Sequence, residues 1–229
     1  MFSAGWWFYI IMTIVFMVYL HKIGKQLDYE TKRKFILIFS IIEFIILRIY
    51  KRSLKGVYDR YNYFNELPCY LCNISTILCI VAALTDNSIL MGFCTTIGLF
   101  GSLLAIFMPD RYYVNIPLFS RQTVGFYGYH SMLLVSCLSF YLMGLYKPDP
   151  KDALWAMVIL FVVTCVIHIV NIVLRKTGLN PTCNYTFTIE PDNNVLEFFY
   201  KLFPVKLFYL LPVLFIMGLI AYLMLMIIK

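Results

Sequence analysis

The chain has 229 residues, of which 62% are hydrophobic and only 14% are charged, and its formal net charge is +7. Soluble domains are close to half apolar and a quarter charged, so this composition excludes a soluble fold and predicts an integral membrane protein. The aromatic residues lie inside the apolar runs instead of alternating with basic residues, which argues against nucleic acid as a partner. We therefore interpret the positive charge as loop charge that faces anionic lipid and sets topology.

Seven apolar runs reach, or nearly reach, the ~20 residues that a helix needs to cross a bilayer. None of them alternates with a period of two, so helices are expected in each. The sequence therefore predicts an all-α membrane protein, a single integral membrane domain (residues 1–229) built as a bundle of about seven transmembrane helices. In chain order the runs cover residues 5–20, 34–50, 68–85, 88–107, 124–146, 152–174 and 205–228.

The predicted loops differ in length between the two sides of the bundle. The longer loops, 51–67, 108–123 and 175–204, share one side with the N-terminus, and we call this side the working face. Long loops on a rigid scaffold are where functional residues collect. Lysine and arginine are almost evenly divided, but their densest cluster lies in the first loop, opposite an uncharged N-terminus. We therefore predict a multi-pass protein of the cell membrane whose working face is extracytoplasmic.

Four polar residues lie at similar depths inside four different predicted helices. With a rise of 1.5 Å per residue, Glu43, Cys72, His130 and Asn171 lie roughly 10, 6, 9 and 5 Å below the working face. Ionisable residues inside a membrane span are costly and indicate function. Structural roles remain open, since Glu43 can pair with Arg48 and His130 can bridge two helices through hydrogen bonds.

The segment "NELPCYLCNIS" (65–75) places Cys72 shortly after Pro68, a residue suited to the first turn of a helix. A cysteine in the opening turns of a helix feels the positive end of the helix dipole, which favours the thiolate. Together with His130 at a similar depth, Cys72 has the parts of a cysteine nucleophile and its general base.

The same segment allows other interpretations, because Cys69 and Cys72 form a Cys-x-x-Cys pair. A membrane thiol oxidoreductase places such a pair at a helix start but also needs a second loop pair, and Cys183 is a single loop cysteine. A structural zinc site needs four ligands of matching spacing, and no partner pair is present. The redox interpretation therefore remains an alternative, and no metal is expected.

Three motifs resemble a known family, namely "LPCYLCNIS" (67–75), "GLFGSLLAIFMPD" (98–110) and "FYGYHSMLL" (126–134). They are similar in order and spacing to the YwaF-like bacterial integral membrane proteins, which are related to the vertebrate transmembrane protein 164, an ether-phospholipid acyltransferase. The resemblance covers roughly residues 40–215, and it includes Glu43 and the later Asn184 and Tyr185.

This resemblance implies a CoA-independent cysteine–histidine acyltransferase. In such an enzyme Cys72 would carry the acyl group as a thioester and His130 would assist. Cys69 occupies a position where the family commonly has leucine. Tyr70 departs from the family, which usually has a histidine there, and a phenol hydroxyl replaces an imidazole only in part.

The implied substrates are membrane phospholipids as acyl donors and lysolipids, or other hydroxyl or amine acceptors. The oxyanion would be held by backbone N–H groups or by side chains such as Asn73, Asn171 or Tyr185, and Glu43 or an asparagine would orient His130. No cofactor is expected. A carrier or lipid-binding receptor without chemistry remains the rival, although broken helices in matching halves would favour it and are not found.

Overall fold

The computed structural model describes residues 4–53, 63–109 and 117–228, and these residues form helices and no strands. The all-α prediction is confirmed, and one helix of 15 or more residues occupies most of each of the seven apolar runs. In chain order the helices are α1 (Ala4–Gly24), α2 (Tyr29–Ser53), α3 (Leu71–Thr85), α4 (Ser88–Phe107), α5 (121–142), α6 (Asp152–Lys176), α7 (Asn194–Leu202) and α8 (Leu211–Ile228).

The ends of the helices differ from the ends of the apolar runs. Helices α1 and α2 continue beyond residues 5–20 and 34–50 into charged segments, because lysine, arginine and glutamate are good helix formers that a hydropathy pattern omits. Helix α3 begins at Leu71, three residues after Pro68, because Tyr70 is still extended (φ −80°, ψ 149°). Residues 54–62 and 110–116, in the predicted loops 51–67 and 108–123, lie outside the described residues.

Among the described helices, α1, α4, α6 and α8 with its preceding turn are long and apolar enough to cross a membrane by length and composition. Helix α3 has only 15 residues and is correspondingly short for a span. At 1.5 Å per residue it is about 22 Å long, against roughly 30 Å for the hydrocarbon core. The protein is thus a helical membrane protein in which α3 does not match the full thickness of a bilayer.

Helix α5 lies at the centre of the bundle, where it packs against α1, α2, α3 and α4. It opens with a short turn and a π-helical turn at Val124–Gly128, and α4 contains a second π turn at Cys94–Gly98. Such turns often occur at functional sites. Gly125 is required in the first of them, since a Cβ there would lie 2.0 Å from the ring of Tyr50.

The predicted loop 175–204 contains a helix that the hydropathy pattern did not predict. The Asn193 side chain caps α7 by accepting hydrogen bonds from the N–H groups of Val195 and Leu196. Leu196 is buried, whereas Phe198 on the opposite side is exposed, so the helix is amphipathic. It connects α6 to α8 beside the working face.

Candidate active site

Two contacts along α3 and α5 establish how these helices lie relative to each other. Near the start of α3, the Tyr129 hydroxyl donates to Asn73 Oδ1 at 3.2 Å. Further along, the Cys79 and Cys137 sulfur atoms are 3.7 Å apart. Residue numbers rise together from the first contact to the second, so α3 and α5 run parallel, both away from the working face.

This register carries Cys72 and His130 into the same inter-helix space. Each precedes one of the two touching cysteines by seven residues, which is two helical turns and about 10 Å. Seven residues also return a side chain to nearly the same flank of a helix, and both intervening stretches are regular α-helix. Cys72 and His130 therefore lie on facing flanks, in the layer of the contact between Asn73 and Tyr129.

His130 is oriented by a backbone carbonyl. Its Nδ1 lies 2.7 Å from the carbonyl oxygen of Phe126, which belongs to the π turn that opens α5. A carbonyl oxygen can only accept, so Nδ1 carries the proton of the neutral ring and Nε2 is the acceptor. Nε2 has no hydrogen-bond partner among the described residues. The imidazole ring of His130 packs against the rings of Phe126 and Tyr129, with ring centroids 4.6 and 5.0 Å apart.

Cys72 is the second residue of α3 and is partly buried. The first hydrogen bond of the helix runs from the Ile74 N–H to the carbonyl of Tyr70 at 3.1 Å. Because a helix leaves its first N–H groups without partners inside the helix, those of Cys72 and Asn73 are directed towards the working face. The thiol thus lies beside backbone donors and the positive end of the helix dipole.

The two cysteines of the Cys-x-x-Cys pair pack into different parts of the molecule. Cys72 contacts the main core, which includes Cys79 and Cys137. Cys69 packs instead in a smaller cluster with Cys183 and Tyr185. Both are free thiols in this structure.

Glu43 is fully buried in α2 and contacts hydroxyl groups on both neighbouring helices. Its two carboxyl oxygens lie 2.6 Å from Thr76 Oγ1 on α3 and 2.6 Å from Ser136 Oγ on α5. The open alternative of a pair with Arg48 is not what the structure shows, because that guanidinium donates to the carbonyl of Glu66 at 2.5 Å. Glu43 forms no ion pair with any residue that the structure describes.

The contacts of Glu43 extend to the layer of Cys72. Thr76 Oγ1 lies 2.9 Å from the Tyr129 hydroxyl, which in turn reaches Asn73. We call Glu43, Thr76, Tyr129 and Asn73 the hydroxyl chain. Sequence reasoning named Glu43 and Asn73 but missed Thr76, Tyr129 and Ser136, because single hydroxyl residues are ordinary in apolar helices. The three-residue step from Asn73 to Thr76, one flank of a helix, was the available signal.

Asn171 lies apart from this chain and binds the segment that follows α6. Its amide donates to the Tyr185 carbonyl at 2.9 Å and to the Thr188 hydroxyl at 2.8 Å. Its oxygen accepts from the Tyr185 N–H and from the Cys183 thiol, each at 2.9 Å. These four bonds use the full hydrogen-bonding capacity of the amide, so Asn171 anchors this segment to α6.

Tyr185 fastens the same segment to the residues that precede α3. Its hydroxyl donates to the carbonyl of Phe64 and accepts from the Leu67 N–H at 3.1 Å. Burial raises the pKa of the Tyr185 hydroxyl, so it remains a neutral donor. Its ring meets that of Tyr70 edge-on, with centroids 5.1 Å apart, two residues before Cys72.

A cleft of about 200 Å³ opens beside Tyr70 at the working face. Asn184 stabilises one wall, because its side chain donates to the Glu190 carbonyl at 2.9 Å and accepts from two backbone N–H groups. The lining combines aromatic rings with polar groups: Tyr70, Asn180, Thr182, Cys183, Asn184, Tyr185, Phe187 and Asp192.

The eight predicted site residues therefore lie in two neighbouring groups. Cys72, His130, Glu43 and Asn73 lie between α2, α3 and α5, while Asn171, Asn184, Tyr185 and Tyr70 form the adjoining loop and cleft. A family model described as the TMEM164 family matches residues 1–226, which include both groups. No curated protein and no solved structure matches the chain. The chain belongs to the TMEM164 family.

Proposed function

We propose that this protein is a membrane-embedded acyltransferase that moves a fatty acyl chain from a phospholipid to a lysolipid, or to another hydroxyl or amine acceptor, without CoA. The observation that supports this proposal is the parallel register of α3 and α5, from which we infer that Cys72 and His130 share one layer between the two helices. The Nδ1 contact of His130 with the Phe126 carbonyl leaves Nε2 as the basic nitrogen, as a general base requires.

In the first half of the reaction, His130 Nε2 takes the proton of the Cys72 thiol, and the thiolate attacks the ester carbonyl carbon of the donor phospholipid. The carbonyl oxygen becomes an oxyanion in the tetrahedral intermediate. Its collapse breaks the bond to the glycerol oxygen, which receives the proton from His130 and leaves as the lysolipid. The acyl group remains on Cys72 as a thioester.

In the second half, an acceptor hydroxyl or amine attacks the thioester carbonyl while His130 removes its proton. The carbon–sulfur bond then breaks, and the Cys72 thiolate regains a proton from His130. Acyl transfer between two esters is balanced in atoms and electrons, so the cycle proceeds without a cofactor.

The start of α3 supplies the groups for the oxyanion. The backbone N–H groups of the first turn are unpaired within the helix, and the Asn73 side-chain NH₂ group has no partner among the described residues. Fixed donors aimed at developing charge usually provide the largest part of such catalysis. The position of Cys72 at the beginning of α3 suits a lipid ester, which lies at the boundary between headgroups and acyl chains.

The remaining predicted residues have positional roles in this proposal. Asn171, Tyr185 and Asn184 hold the loop against the segment before α3, and Tyr70 lines the cleft through which a lipid headgroup would enter. We place this working face on the extracytoplasmic side of the cell membrane.

Two other functions make different demands on the same residues. A carrier or lipid-binding receptor tolerates Cys72→Ser, whereas an acyltransferase loses nearly all transfer. A thiol oxidoreductase needs Cys69 as much as Cys72, yet the two thiols pack into different clusters.

Intact-protein mass spectrometry tests the proposal on protein purified from membranes and supplied with phospholipid. We expect an acyl mass that neutral hydroxylamine removes in the wild type and in Cys69→Ala, and no such mass in Cys72→Ala. A disulfide between Cys69 and Cys72 without any acyl adduct would replace the acyltransferase with the redox function.

A further inference from the structure

The fully buried Glu43 is not explained by the cysteine and histidine chemistry alone. A carboxyl group inside a bilayer is costly to bury, and here its described partners are the hydroxyl groups of Thr76 and Ser136. These partners belong to α3 and α5, the two helices that carry Cys72 and His130.

Counting protons distinguishes two arrangements of the hydroxyl chain, because each hydroxyl group has one proton to donate. If Glu43 is ionised, Thr76 donates to it, and Tyr129 must then donate to Thr76, so that the 3.2 Å contact with Asn73 loses its donor. If Glu43 is the neutral acid, it donates to Thr76, Thr76 donates to Tyr129, and Tyr129 donates to Asn73. Only the neutral acid fills every contact between the side chains of the hydroxyl chain, while Ser136 donates to the second oxygen of Glu43. In this arrangement the Thr76 proton is used for Tyr129, and the further contact of Thr76 Oγ1 with the Cys72 carbonyl, at 3.2 Å, receives none.

Asn73, the last member of the hydroxyl chain, directly follows the proposed nucleophile Cys72. When its Oδ1 accepts from Tyr129, the Asn73 amide cannot flip, and its NH₂ group faces away from Tyr129. That group has no partner among the described residues, and the next residue towards the N-terminus is Cys72. A fixed donor costs no reorganisation when the oxyanion forms.

We propose that Glu43, as the neutral acid, heads a directed chain of hydrogen bonds through Thr76 and Tyr129 that holds the Asn73 amide ready to bind the oxyanion formed at Cys72. This inference rests on the proposed acyltransferase function. Glu43, Thr76 and Tyr129 are positioning residues in it, since they act through Asn73 and do not touch the substrate.

To test whether Glu43 acts as the neutral acid, the single-turnover rate of Cys72 acylation is compared between Glu43→Gln and Glu43→Ala. A glutamine donates through its NH₂ group to Thr76 and accepts from Ser136, so it reproduces the neutral acid. We expect Glu43→Gln to stay within about threefold of the wild type and Glu43→Ala to fall at least tenfold. Equal losses in both variants would show that the negative charge matters and would overturn the inference.

The link to Asn73 is tested by a double-mutant cycle. We expect Asn73→Ala to reduce the acylation rate about 100-fold, as for other oxyanion donors. Tyr129→Phe should reduce it about tenfold in the wild type but not further in Asn73→Ala. Tyr127→Phe, a buried tyrosine of α5 outside the chain, is the matched control and should leave the rate unchanged.

Independent effects of Tyr129→Phe and Asn73→Ala would show that Tyr129 does not act through Asn73. If Glu43→Ala fails to fold, Thr76→Val and its conservative partner Thr76→Ser give the same comparison, with loss expected in the first and near-normal rates in the second. A wild type that forms no Cys72 thioester would overturn the proposed function and this inference together, whereas a thioester with additive effects would overturn this inference alone.

Discussion

At the scale of single residues, the contact of His130 gives a backbone group the place that the third side chain of a triad would have in the proposed mechanism. Its Nδ1 binds the carbonyl of Phe126, so the π turn at the start of α5 selects the tautomer. The sequence predicted Glu43 or an asparagine for this contact, and neither is the partner of Nδ1 in the structure. A carbonyl of the same helix could not be inferred from side-chain types.

We expect His130→Ala to reduce the rate of Cys72 acylation by 100-fold or more, because general-base assistance is typically worth 10²–10⁴. His168→Ala is the matched control, since this histidine of α6 contacts Thr188 at 3.1 Å and lies in the other group of residues. Rates from quenched-flow mass spectrometry provide the measurement, and equal rates in wild type and His130→Ala would contradict the role of His130.

Gly98 is needed for the close approach of α4 to α5. A Cβ at this position would lie 2.7 Å from the Cys137 sulfur, whereas the nearest atom to a Cβ at Gly101 would be 3.9 Å away. We expect Gly98→Ala to destabilise the fold by about 1–3 kcal/mol through overpacking, and Gly101→Ala to be tolerated. Thermal unfolding in detergent measures both, and Cys137→Ala should restore part of the loss in Gly98→Ala.

At the scale of elements, the positions of the long helices follow from apolar length alone. The apolar run at residues 88–107 predicts a helix, and α4 has the same bounds. Asn87 defines its start, because the side chain of this residue accepts a hydrogen bond from the Leu90 N–H. The hydropathy pattern did not predict helix α7, because its nine residues are too few for a membrane span and combine apolar with polar residues. The hydroxyl chain was missed for another reason, since its contacts join residues 33 to 56 positions apart in the sequence.

The parallel register of α3 and α5 predicts which cysteines can be joined. We expect His130→Cys to form a disulfide with Cys72 under mild oxidation with copper phenanthroline, since the two positions share a layer between the helices. Peptide mapping identifies the linked residues, and the native pair Cys79 and Cys137 serves as an internal reference. A link from position 130 to Cys69 instead of Cys72 would contradict the register.

At the scale of the whole molecule, the predicted orientation places the working face outside the cell. We expect an impermeant maleimide to label Tyr63→Cys in intact cells, because Tyr63 is exposed on this face. Lys25→Cys, on the opposite side, should react only after lysis. Labelling in the reverse order would place Cys72 and His130 towards the cytoplasmic leaflet. The near balance of basic loop residues explains why sequence alone fixes this orientation weakly.

The shortness of α3 has a mechanical consequence for the surrounding bilayer. Where lipids contact it, a helix of about 22 Å beside a hydrocarbon layer of roughly 30 Å favours tilted lipids or a thinner layer. Lipids in such a strained annulus are loosely packed, so their glycerol esters reach the start of α3 with less displacement. For the proposed acyl transfer, membrane thickness then becomes a variable of the rate, and turnover in vesicles should rise as the acyl chains of the host lipid are shortened.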